Sequence, residues 1–272
     1  MKKTESNKKS ETSSSKEMSA LSEEKSKKKE EKSEKKEKAK VLSKSSVFNL
    51  DFEEMARAGL YFGHRTSRCH PKMKPYISGV RNTIHIINLE KTAEKLKEAL
   101  KFIQSLFLEN KVLLLVGTKI QLRDLVKDLA KKYNLPYVTE RWLGGTITNF
   151  DNILKRINYF KDLEKKKAEG ELDKYSKKER AKIEKEIQDL RTNFEGIKEL
   201  NRLPDAIFVL DMNENNLAVK EAKMKGIKVI AIADTNVDPT LADYPIPAND
   251  DAISSVKYIL DKVSEAIEEV KK

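Results

Sequence analysis

The segment KVLLLVGTK at 111–119 decides the fold class, because it joins an unbroken aliphatic run to a turn. Such a run is typical of a strand that is buried on both faces, as in a parallel sheet. Two further aliphatic runs occur at 207–210 and 229–233, and segments with helical apolar spacing separate the runs. Strands that alternate with helices predict an α/β domain whose parallel strands are joined by right-handed crossovers.

Capping residues and apolar spacing predict the remaining elements of this domain. Asp51 with Glu54 forms a capping box, and Asn88 can cap a long helix. Thr118 is expected to cap the helix after the first core strand. In chain order we expect a helix at 52–58, a strand at 83–87, a helix after Asn88, a strand at 111–116, a helix after Thr118, strands at 137–139 and 205–210, a helix at 214–225 closed by Gly226, strands at 228–233 and 244–246, and a helix from Asp250 onward.

Residues 151–200 have a different character, because apolar residues recur at spacings of three and four while most other positions are charged. The two apolar arms are Ile153, Ile157, Phe160 and Leu163, and then Ile183, Ile187, Leu190, Phe194 and Ile197. A turn at 170–173 separates the arms, and Ser176 with Glu179 forms a second capping box. The pattern predicts an antiparallel coiled-coil helical hairpin that projects from the domain.

The first 46 residues differ from the rest in composition, with 15 Lys, 9 Glu and 12 Ser and neither Arg, Asp nor aromatic residues. A segment with this few apolar groups cannot offset the conformational entropy that it would lose on folding. We therefore predict a disordered tail at 1–46. The tail acts either as a solvated spacer or as a flexible arm whose lysines bind phosphate groups. The α/β domain is then formed by 47–150 and 201–272, with the hairpin inserted between these two parts.

Several protein classes do not fit the composition. No run approaches the roughly 20 apolar residues of a membrane span, and no charged segment precedes an apolar one as in a secretory signal. The single cysteine, Cys69, cannot form an intramolecular disulfide. We therefore expect a cytoplasmic protein without a membrane partner.

The charge is unevenly distributed along the chain. The formal net charge is +11, yet no acidic residue occurs between Met55 and Leu89, a stretch that also holds all three histidines. Polyanions attract Lys and Arg and repel carboxylates, so a surface that contacts nucleic acid should contain few acids. The acid-free stretch therefore indicates one basic face rather than a uniform positive coat.

An enzyme is the first alternative, because parallel α/β sheets commonly bind ligands beyond the carboxyl ends of their strands. Dinucleotide binding needs a G-x-G-x-x-G turn and a P-loop needs G-K-[ST], and the chain contains neither. A nucleotide- or phosphosugar-binding α/β enzyme is therefore kept as the alternative hypothesis, while the preferred expectation is no enzymatic activity and no small-molecule substrate. A third hypothesis is an adaptor that grips a partner with its hairpin.

Two groups of side chains could hold a metal ion. The first consists of aspartates near the ends of predicted strands, Asp211, Asp234 and Asp238. Carboxylates of this kind can bind magnesium, but each also suits a helix cap or a turn, which we prefer. The second group is His64, Cys69 and His70, whose spacing matches no standard zinc pattern. We therefore expect neither a metal nor a cofactor.

A set of ordered motifs spans the chain from about 48 to 270. The motifs are AGLYFGHRT at 58–66, PKMKPYI at 71–77, RN at 81–82, HIINLEKT at 85–92, VGTK at 116–119, RWLGGTITN at 141–149, LPDA at 203–206, DTN at 234–236 and IPANDDA at 246–252. In this order they resemble the bacterial ribosomal protein S2 family. The chain departs from that family in its long tail and in Cys69-His70, which stand where the family has an aromatic residue and Asn.

The resemblance implies a three-layer flavodoxin-like domain with a parallel sheet flanked by helices and interrupted by a coiled-coil hairpin. It also implies a non-catalytic structural constituent of the small ribosomal subunit in translation. Members of the family contact small-subunit rRNA and neighbouring ribosomal proteins, and they help to dock ribosomal protein S1. A ribosome-bound location follows from the same resemblance.

The expected rRNA contact surface combines this resemblance with the charge pattern. Arg binds phosphate bidentately and stacks on bases, and the prolines at 71 and 75 stiffen the basic loop between them. Trp142 beside the second basic segment is expected to be core packing. The candidate RNA-binding residues are His64, Arg65, Arg68, Lys72, Lys74, Arg81, Lys119, Arg141 and Asn149.

Overall fold

The computed structural model describes residues 50–271, and the tail predicted at 1–46 lies outside them. In chain order the elements are α1 (Phe52–Arg57), β1 (Phe62–Arg65), β2 (Ile77–Arg81), β3 (Ile84–Ile87), α2 (Leu89–Leu108), β4 (Leu113–Val116), α3 (Arg123–Tyr133), β5 (Tyr137–Val138), α4 (Phe150–Ala168), α5 (Lys177–Phe194), β6 (Ala206–Val209), α6 (Asn216–Met224), β7 (Lys228–Ala233), β8 (Tyr244–Pro247) and α7 (Ile253–Lys271). No described helix has the length and apolar character needed to cross a membrane.

Five strands form the main sheet in the order β5-β4-β6-β7-β8, and every neighbouring pair is parallel. The register places Leu114 beside Ile207 and Ile207 beside Val229. Numbered along the chain, these strands lie in the order second, first, third, fourth, fifth, which is the flavodoxin-like arrangement. The predicted α/β fold with a parallel sheet flanked by helices is therefore confirmed.

The alternation of side chains along each strand divides the core into two layers. Leu113, Leu115 and Phe208 face one side, where they pack with apolar residues of α2, α3 and α7. Leu114 and Ile207 face the other side, where they pack with α6 and with apolar residues of α4 and α5. Full burial of one such side chain contributes roughly 1.5–3 kcal/mol, so the aliphatic strands account for much of the folding free energy.

The N-terminal part of the domain is closed against the segment that follows β8. The side chain of Asn249 donates to the carbonyl oxygen of Gly59, 190 residues earlier in the chain, at 3.3 Å. Its backbone N–H donates to the carbonyl oxygen of Leu60 at 3.1 Å, and the Ser254 hydroxyl donates to that of Ala58 at 2.7 Å. Gly59 ends α1 with a φ of 78°, a left-handed conformation that favours glycine.

A small antiparallel sheet with the order β1-β3-β2 was only partly predicted. The sequence predicted a strand at 83–87, which corresponds to β3, but neither of its neighbours. Both neighbours are short and largely exposed, so they lack the apolar alternation that reveals a half-buried strand. Asn82 and Thr83 form the turn between β2 and β3 with φ values of 47° and 65°, as two-residue hairpin turns require.

The N-terminus of α3 also differs from the prediction, in which Thr118 caps the helix. A 3₁₀ turn at Ile120–Leu122 precedes the helix, and no side chain caps it. The Thr118 hydroxyl instead lies 3.2 Å from Oδ1 of Asn215. The cap prediction was wrong because this hydroxyl is engaged across the sheet. Another predicted cap, Asn88, is confirmed, since its Oδ1 accepts from Glu90 N at 2.9 Å. Asp51 also caps its helix, but it accepts from Glu53 N at 2.9 Å rather than forming the predicted box with Glu54.

Helices α4 and α5 follow one another across a short turn and contact each other through apolar residues. Ile157, Phe160 and Ile187 are buried and belong to the second core layer. Residues around the turn and the first half of α5 are mostly exposed. The predicted capping box is confirmed, because the Ser176 hydroxyl accepts from Glu179 N while Glu179 accepts from Ser176 N. The coiled-coil geometry and the domain boundaries stay predictions.

Cross-linking tests the antiparallel hairpin directly. Tyr159 and Glu186 are both exposed, and their side chains lie close enough across the two helices that Glu186, next to burial, raises the pKa of the Tyr159 hydroxyl. A Tyr159→Cys/Glu186→Cys pair in a Cys69→Ser background is therefore expected to cross-link with a short bismaleimide. A control pair, Asp151→Cys/Lys178→Cys, should stay unlinked, because α4 rises about 25 Å between 151 and the turn. Cross-linking of the control pair alone would contradict an antiparallel arrangement.

Candidate functional site

Charged residues meet at the carboxyl edge of the main sheet. Lys119 follows β4, Asp211 follows β6, Asp234 follows β7, and Asp250 with Asp251 follows β8. In a parallel sheet these strand ends lie at one edge, and the strand order reverses between β4 and β6, where α/β proteins commonly bind ligands. We call the five residues together with His64 the edge cluster.

Lys119 occupies the centre of one half of the edge cluster. Its Nζ lies 2.9 Å from Oδ2 of Asp211, 3.0 Å from Oδ1 of Asp250 and 2.9 Å from Oδ1 of Asp251. Burial by itself lowers the pKa of Lys119, but the carboxylates, Asp250 foremost, outweigh it and raise the pKa above the ordinary value. With 12% of the side chain exposed, the ammonium is saturated by carboxylates and poorly placed to meet a phosphate.

His64 lies in the other half of the edge cluster. Its Nδ1 is 3.0 Å from Oδ2 of Asp234, and its Nε2 is 3.5 Å from Oδ2 of Asp251. The hydrogen bond with Asp234 raises the pKa of His64 above its ordinary value and outweighs the effect of burial. The backbone N–H of His64 donates to the Thr235 hydroxyl at 2.9 Å, which holds β1 against the end of β7.

Three exposed arginines, two in strands of the small sheet and one in the 3₁₀ turn that follows β1, belong to a common surface. Arg65 and Arg81 both lie opposite Ile84 of β3, on either side of it, and directly opposed residues project to the same face. Arg65, Arg68 and Ile84 line an open cleft of about 500 Å³ that also reaches His64. The structure therefore brings these three predicted RNA-binding arginines together.

The two lysines of the stiffened loop differ in their surroundings. Lys72 Nζ is 2.6 Å from Oδ2 of Asp238 and 3.0 Å from the Thr240 hydroxyl. Burial opposes ionisation of Asp238, but hydrogen bonds from Lys72 and Thr240 lower its pKa to about 2. Asp238 also caps a turn by accepting from Thr240 N at 3.0 Å, as the turn interpretation expects. Lys74 is exposed and has no side-chain hydrogen-bond or ion-pair partner within residues 50–271.

The loop from Arg141 to Asn149 is separate from the arginine cleft and is organised by Glu221 of α6. This buried carboxylate accepts five hydrogen bonds from the loop: Trp142 Nε1 at 3.2 Å, Gly145 N at 2.8 Å, Ile147 N at 3.0 Å, Thr148 N at 3.1 Å and Thr148 Oγ1 at 3.2 Å. Arg141 and Asn149 are exposed at the two ends of this loop. Trp142 is buried in the core, as predicted.

Some features of the site were not predicted from sequence. Asp250 was interpreted only as the start of a helix, and Glu221 was not singled out. The signal for Asp250 and Asp251 was their position within a few residues of the end of a short strand, since Asp211 and Asp234 also follow closely on strand ends. For Glu221 the sequence offered only an acid at a position that apolar spacing makes inward-facing.

Among the described residues, the group with a geometry suited to a metal ion is His64, Asp234, Asp250 and Asp251. It differs from both sets considered from sequence. His70 accepts from Lys72 N through Nδ1 at 3.3 Å, and the Cys69 thiol lies 3.6 Å from a backbone carbonyl oxygen, so they share no site with His64.

The sequence of this chain is similar to a known protein family and to known proteins from two bacteria. A family model described as "Ribosomal protein S2" matches residues 55–270. A protein of Koribacter versatilis named "Small ribosomal subunit protein uS2" is 44% identical over 221 residues, which cover 81% of this chain and 73% of that protein. A protein of the same name from Acidobacterium capsulatum is 42% identical over 219 residues, with coverages of 80% and 73%.

Proposed function

The chain belongs to the ribosomal protein S2 family, and from this premise we propose that it binds small-subunit rRNA and helps to dock ribosomal protein S1. At the coarser level it is a structural component of the small ribosomal subunit with a role in translation, and it is not an enzyme. We propose that it acts in the cytoplasm, bound to the ribosome.

The rRNA proposal rests on a set of exposed basic side chains that have no partner within residues 50–271. They are Arg65, Arg68, Lys74 and Arg81, which we call the basic face. Guanidinium groups that no carboxylate neutralises are free to bind phosphate bidentately or to stack on bases. Arg65 and Arg81 project from strands of the small sheet, whose hydrogen bonds hold their backbone in place, so little ordering is needed on binding.

The other candidate residues take different parts in this proposal. Lys72 can reach phosphate only by leaving Asp238, and Lys119 and His64 are held by carboxylates, so we place these three behind the contact surface. Arg141 and Asn149 flank a rigid loop at another part of the carboxyl edge, and we propose them as a second, smaller contact.

The enzyme alternative gains no support from the sheet edge. The place where flavodoxin-like folds commonly bind a phosphate group is here occupied by the side chains of Lys119 and Asp211. Asp250 and Asp251 add further negative charge there, which repels phosphate. The adaptor hypothesis does not account for the basic face, although the exposed part of α5 is a reasonable contact for a neighbouring ribosomal protein.

Sedimentation with the small subunit tests the proposed function. A tagged copy of the protein, expressed in the organism from which it comes, should cosediment with small subunits. It should stay bound to them after a wash at moderate salt. Depletion of the protein should yield small subunits that lack S1 while other proteins remain. Recovery of the protein only in the ribosome-free fraction would contradict rRNA binding, and normal S1 content after depletion would contradict the docking role.

A further inference from the structure

The basic face borders on the open cleft of about 500 Å³ that Arg65, Arg68 and Ile84 line. This volume lies within the range of roughly 300–1,000 Å³ that is typical of sites for small ligands. A double helix presents its phosphates on a convex outer surface, so contacts with phosphates alone leave the interior of such a cleft unfilled. The cleft therefore has room for a further part of a bound RNA.

The lining of the cleft combines an apolar side chain with groups that form hydrogen bonds. Ile84 of β3 is half-buried and lines the cleft together with the exposed Arg65 and Arg68. The exposed Ser67 also lines it, and the Ser67 hydroxyl has no hydrogen-bond partner within residues 50–271. Guanidinium groups stack on aromatic faces and aliphatic side chains pack against them, whereas a phosphate gains nothing from an apolar contact. The lining therefore suits an aromatic ring with polar edges, such as a nucleobase.

One carboxylate also lines the cleft, and its negative charge disfavours a phosphate there. The Asp251 side chain is 62% exposed, with Oδ1 2.9 Å from Lys119 Nζ and Oδ2 3.5 Å from His64 Nε2. Lys119 is shared with two further carboxylates, so it does not cancel this charge. A carboxylate has about four acceptor positions, so the exposed part of Asp251 can accept further hydrogen bonds. Like charges repel, and the N–H groups of a base are therefore better partners for Asp251 than a phosphate.

We propose that this cleft binds one unstacked RNA base, preferably guanine, while the phosphates on either side of that base meet the exposed arginines. This inference rests on the proposed rRNA binding and specifies which part of the RNA fills the cleft. The guanidinium of Arg65 or Arg68 stacks on the ring, Ile84 packs against it, and Asp251 accepts from its N–H groups. Guanine offers an imino N–H and an amino group side by side, whereas uracil places a carbonyl oxygen on each side of its N–H, which a carboxylate repels.

The backbone around the cleft is held in place before any RNA binds. Arg65 lies opposite Ile84 in the ladder between β1 and β3, and Thr66 N donates to the carbonyl oxygen of Thr83 at 2.8 Å. Arg68 ends the 3₁₀ turn that begins at Thr66. The main cost of binding is therefore removal of the base from its stack, which is smallest for a base that is already unpaired. We expect the target to be a bulge or a loop rather than a continuous duplex.

The alternative is that the arginines bind phosphates and no base enters the cleft. The two explanations place different demands on the cation. A phosphate also binds the ammonium of lysine, whereas stacking on a base uses the planar guanidinium. Replacement of Arg65 and Arg68 by Lys keeps both charges and removes both planes. The response of RNA binding to this double variant therefore separates base insertion from contact with phosphates alone.

Binding of the full chain to two RNA stem-loops, identical except for one unpaired guanine in the stem, tests the proposal. The wild type should bind the bulged RNA at least about fivefold more tightly than the fully paired one. Arg65→Lys/Arg68→Lys should lose most of this advantage, while the slope of log affinity against log salt stays unchanged. The matched control, Arg57→Lys/Arg156→Lys, changes two exposed arginines of α1 and α4 and should keep the advantage. With 2-aminopurine in place of the bulged guanine, fluorescence should rise on binding as the base leaves its stack.

The preference for guanine is tested by placing uracil at the bulge. The wild type should bind this RNA more weakly than the guanine form, and Asp251→Asn should remove the difference. Equal affinity of the wild type for guanine and uracil would overturn the role of Asp251.

Binding to small-subunit rRNA is measured alongside, because it separates this inference from the proposed function. Equal affinity for the bulged and paired stem-loops, or an undiminished advantage in Arg65→Lys/Arg68→Lys, would overturn base insertion even if the chain binds rRNA. A chain that does not bind small-subunit rRNA at all would contradict the proposed function and base insertion together.

Discussion

Neutralising the basic face is expected to weaken binding of the protein to small-subunit rRNA by about tenfold or more at moderate salt. The variant combines Arg65→Gln, Arg68→Gln, Lys74→Gln and Arg81→Gln. Each lost phosphate contact also lowers the slope of log affinity against log salt by somewhat under one unit, so the slope should flatten by about three. The thermal midpoint should hardly change, because these side chains are exposed and unpartnered among the described residues.

A second variant with the same change in net charge separates a specific surface from general electrostatics. It replaces exposed lysines of the helices that cover one face of the main sheet, Lys97, Lys101, Lys131 and Lys257, by Gln. Long-range attraction falls equally in both variants, whereas contacts are lost only in the first. Affinities are measured by filter binding over a salt series, together with incorporation into small subunits. If both variants weaken binding alike, RNA does not contact the basic face.

Replacing Glu221 by Gln is expected to destabilise the domain by about 2–4 kcal/mol, because the amide nitrogen would face backbone donors that now bind a carboxylate. Glu221 is buried, and its two oxygens accept from Trp142, Gly145, Ile147 and Thr148. In the variant at least one backbone N–H of the loop loses its acceptor. Urea denaturation at neutral pH measures the change in free energy of unfolding.

The effect should depend on pH in a defined direction. Burial of Glu221 by itself raises its pKa, but the hydrogen bonds from the Gly145, Thr148 and Ile147 backbone outweigh burial and lower the pKa below 4.5. A carboxyl with a lowered folded-state pKa stabilises the protein above its unfolded-state pKa, and that contribution is lost as pH falls through the folded-state value. The difference in free energy of unfolding between the wild type and Glu221→Gln should therefore have its full size at pH 6. It should become smaller below about pH 4.5.

Glu94→Gln provides the matched control, since Glu94 lies in the second turn of α2 and is exposed. Its effect on stability should stay within about 0.5 kcal/mol. Hydrogen exchange adds a local readout, because the amides of Gly145, Ile147 and Thr148 should lose protection in Glu221→Gln more than amides of the main sheet. Unchanged protection in the loop, or equal stability of the two variants, would show that Glu221 does not organise it.

The main sheet could be predicted from sequence because its physical origin is local. The aliphatic runs at 111–116 and 228–233 can be buried on both faces only in a parallel sheet, and both became β-strands. A helix boundary was predicted wrongly where the capping side chain has another partner, as Thr118 shows. The pattern that marks a strand or helix is set by neighbours along the chain, and Thr118 is engaged by a residue 97 positions away.

The site was less predictable because its residues gain their roles from partners distant in sequence. Lys119 was expected to meet phosphate, but its surroundings are carboxylates 131 and 132 residues further along the chain. Arg65, Arg68 and Arg81 were identified because a run without acids marks a basic surface even when its strands are not recognised. Charge composition therefore indicated the surface, whereas pairing within the edge cluster could not be read from spacing.

The contacts of Asn249 with Gly59 and Leu60 have a consequence for the order of events during synthesis. They join segments 190 residues apart, so they cannot form until Asn249 has left the ribosome that makes the chain. Closing so long a loop is entropically unfavourable, and non-local pairing of this kind slows folding. The segment that carries Gly59 and Leu60 must wait for Asn249, just as β4 waits for β6. A nascent chain released before Asn249 should therefore be sensitive to proteases throughout, because its earliest and latest segments complete the domain together.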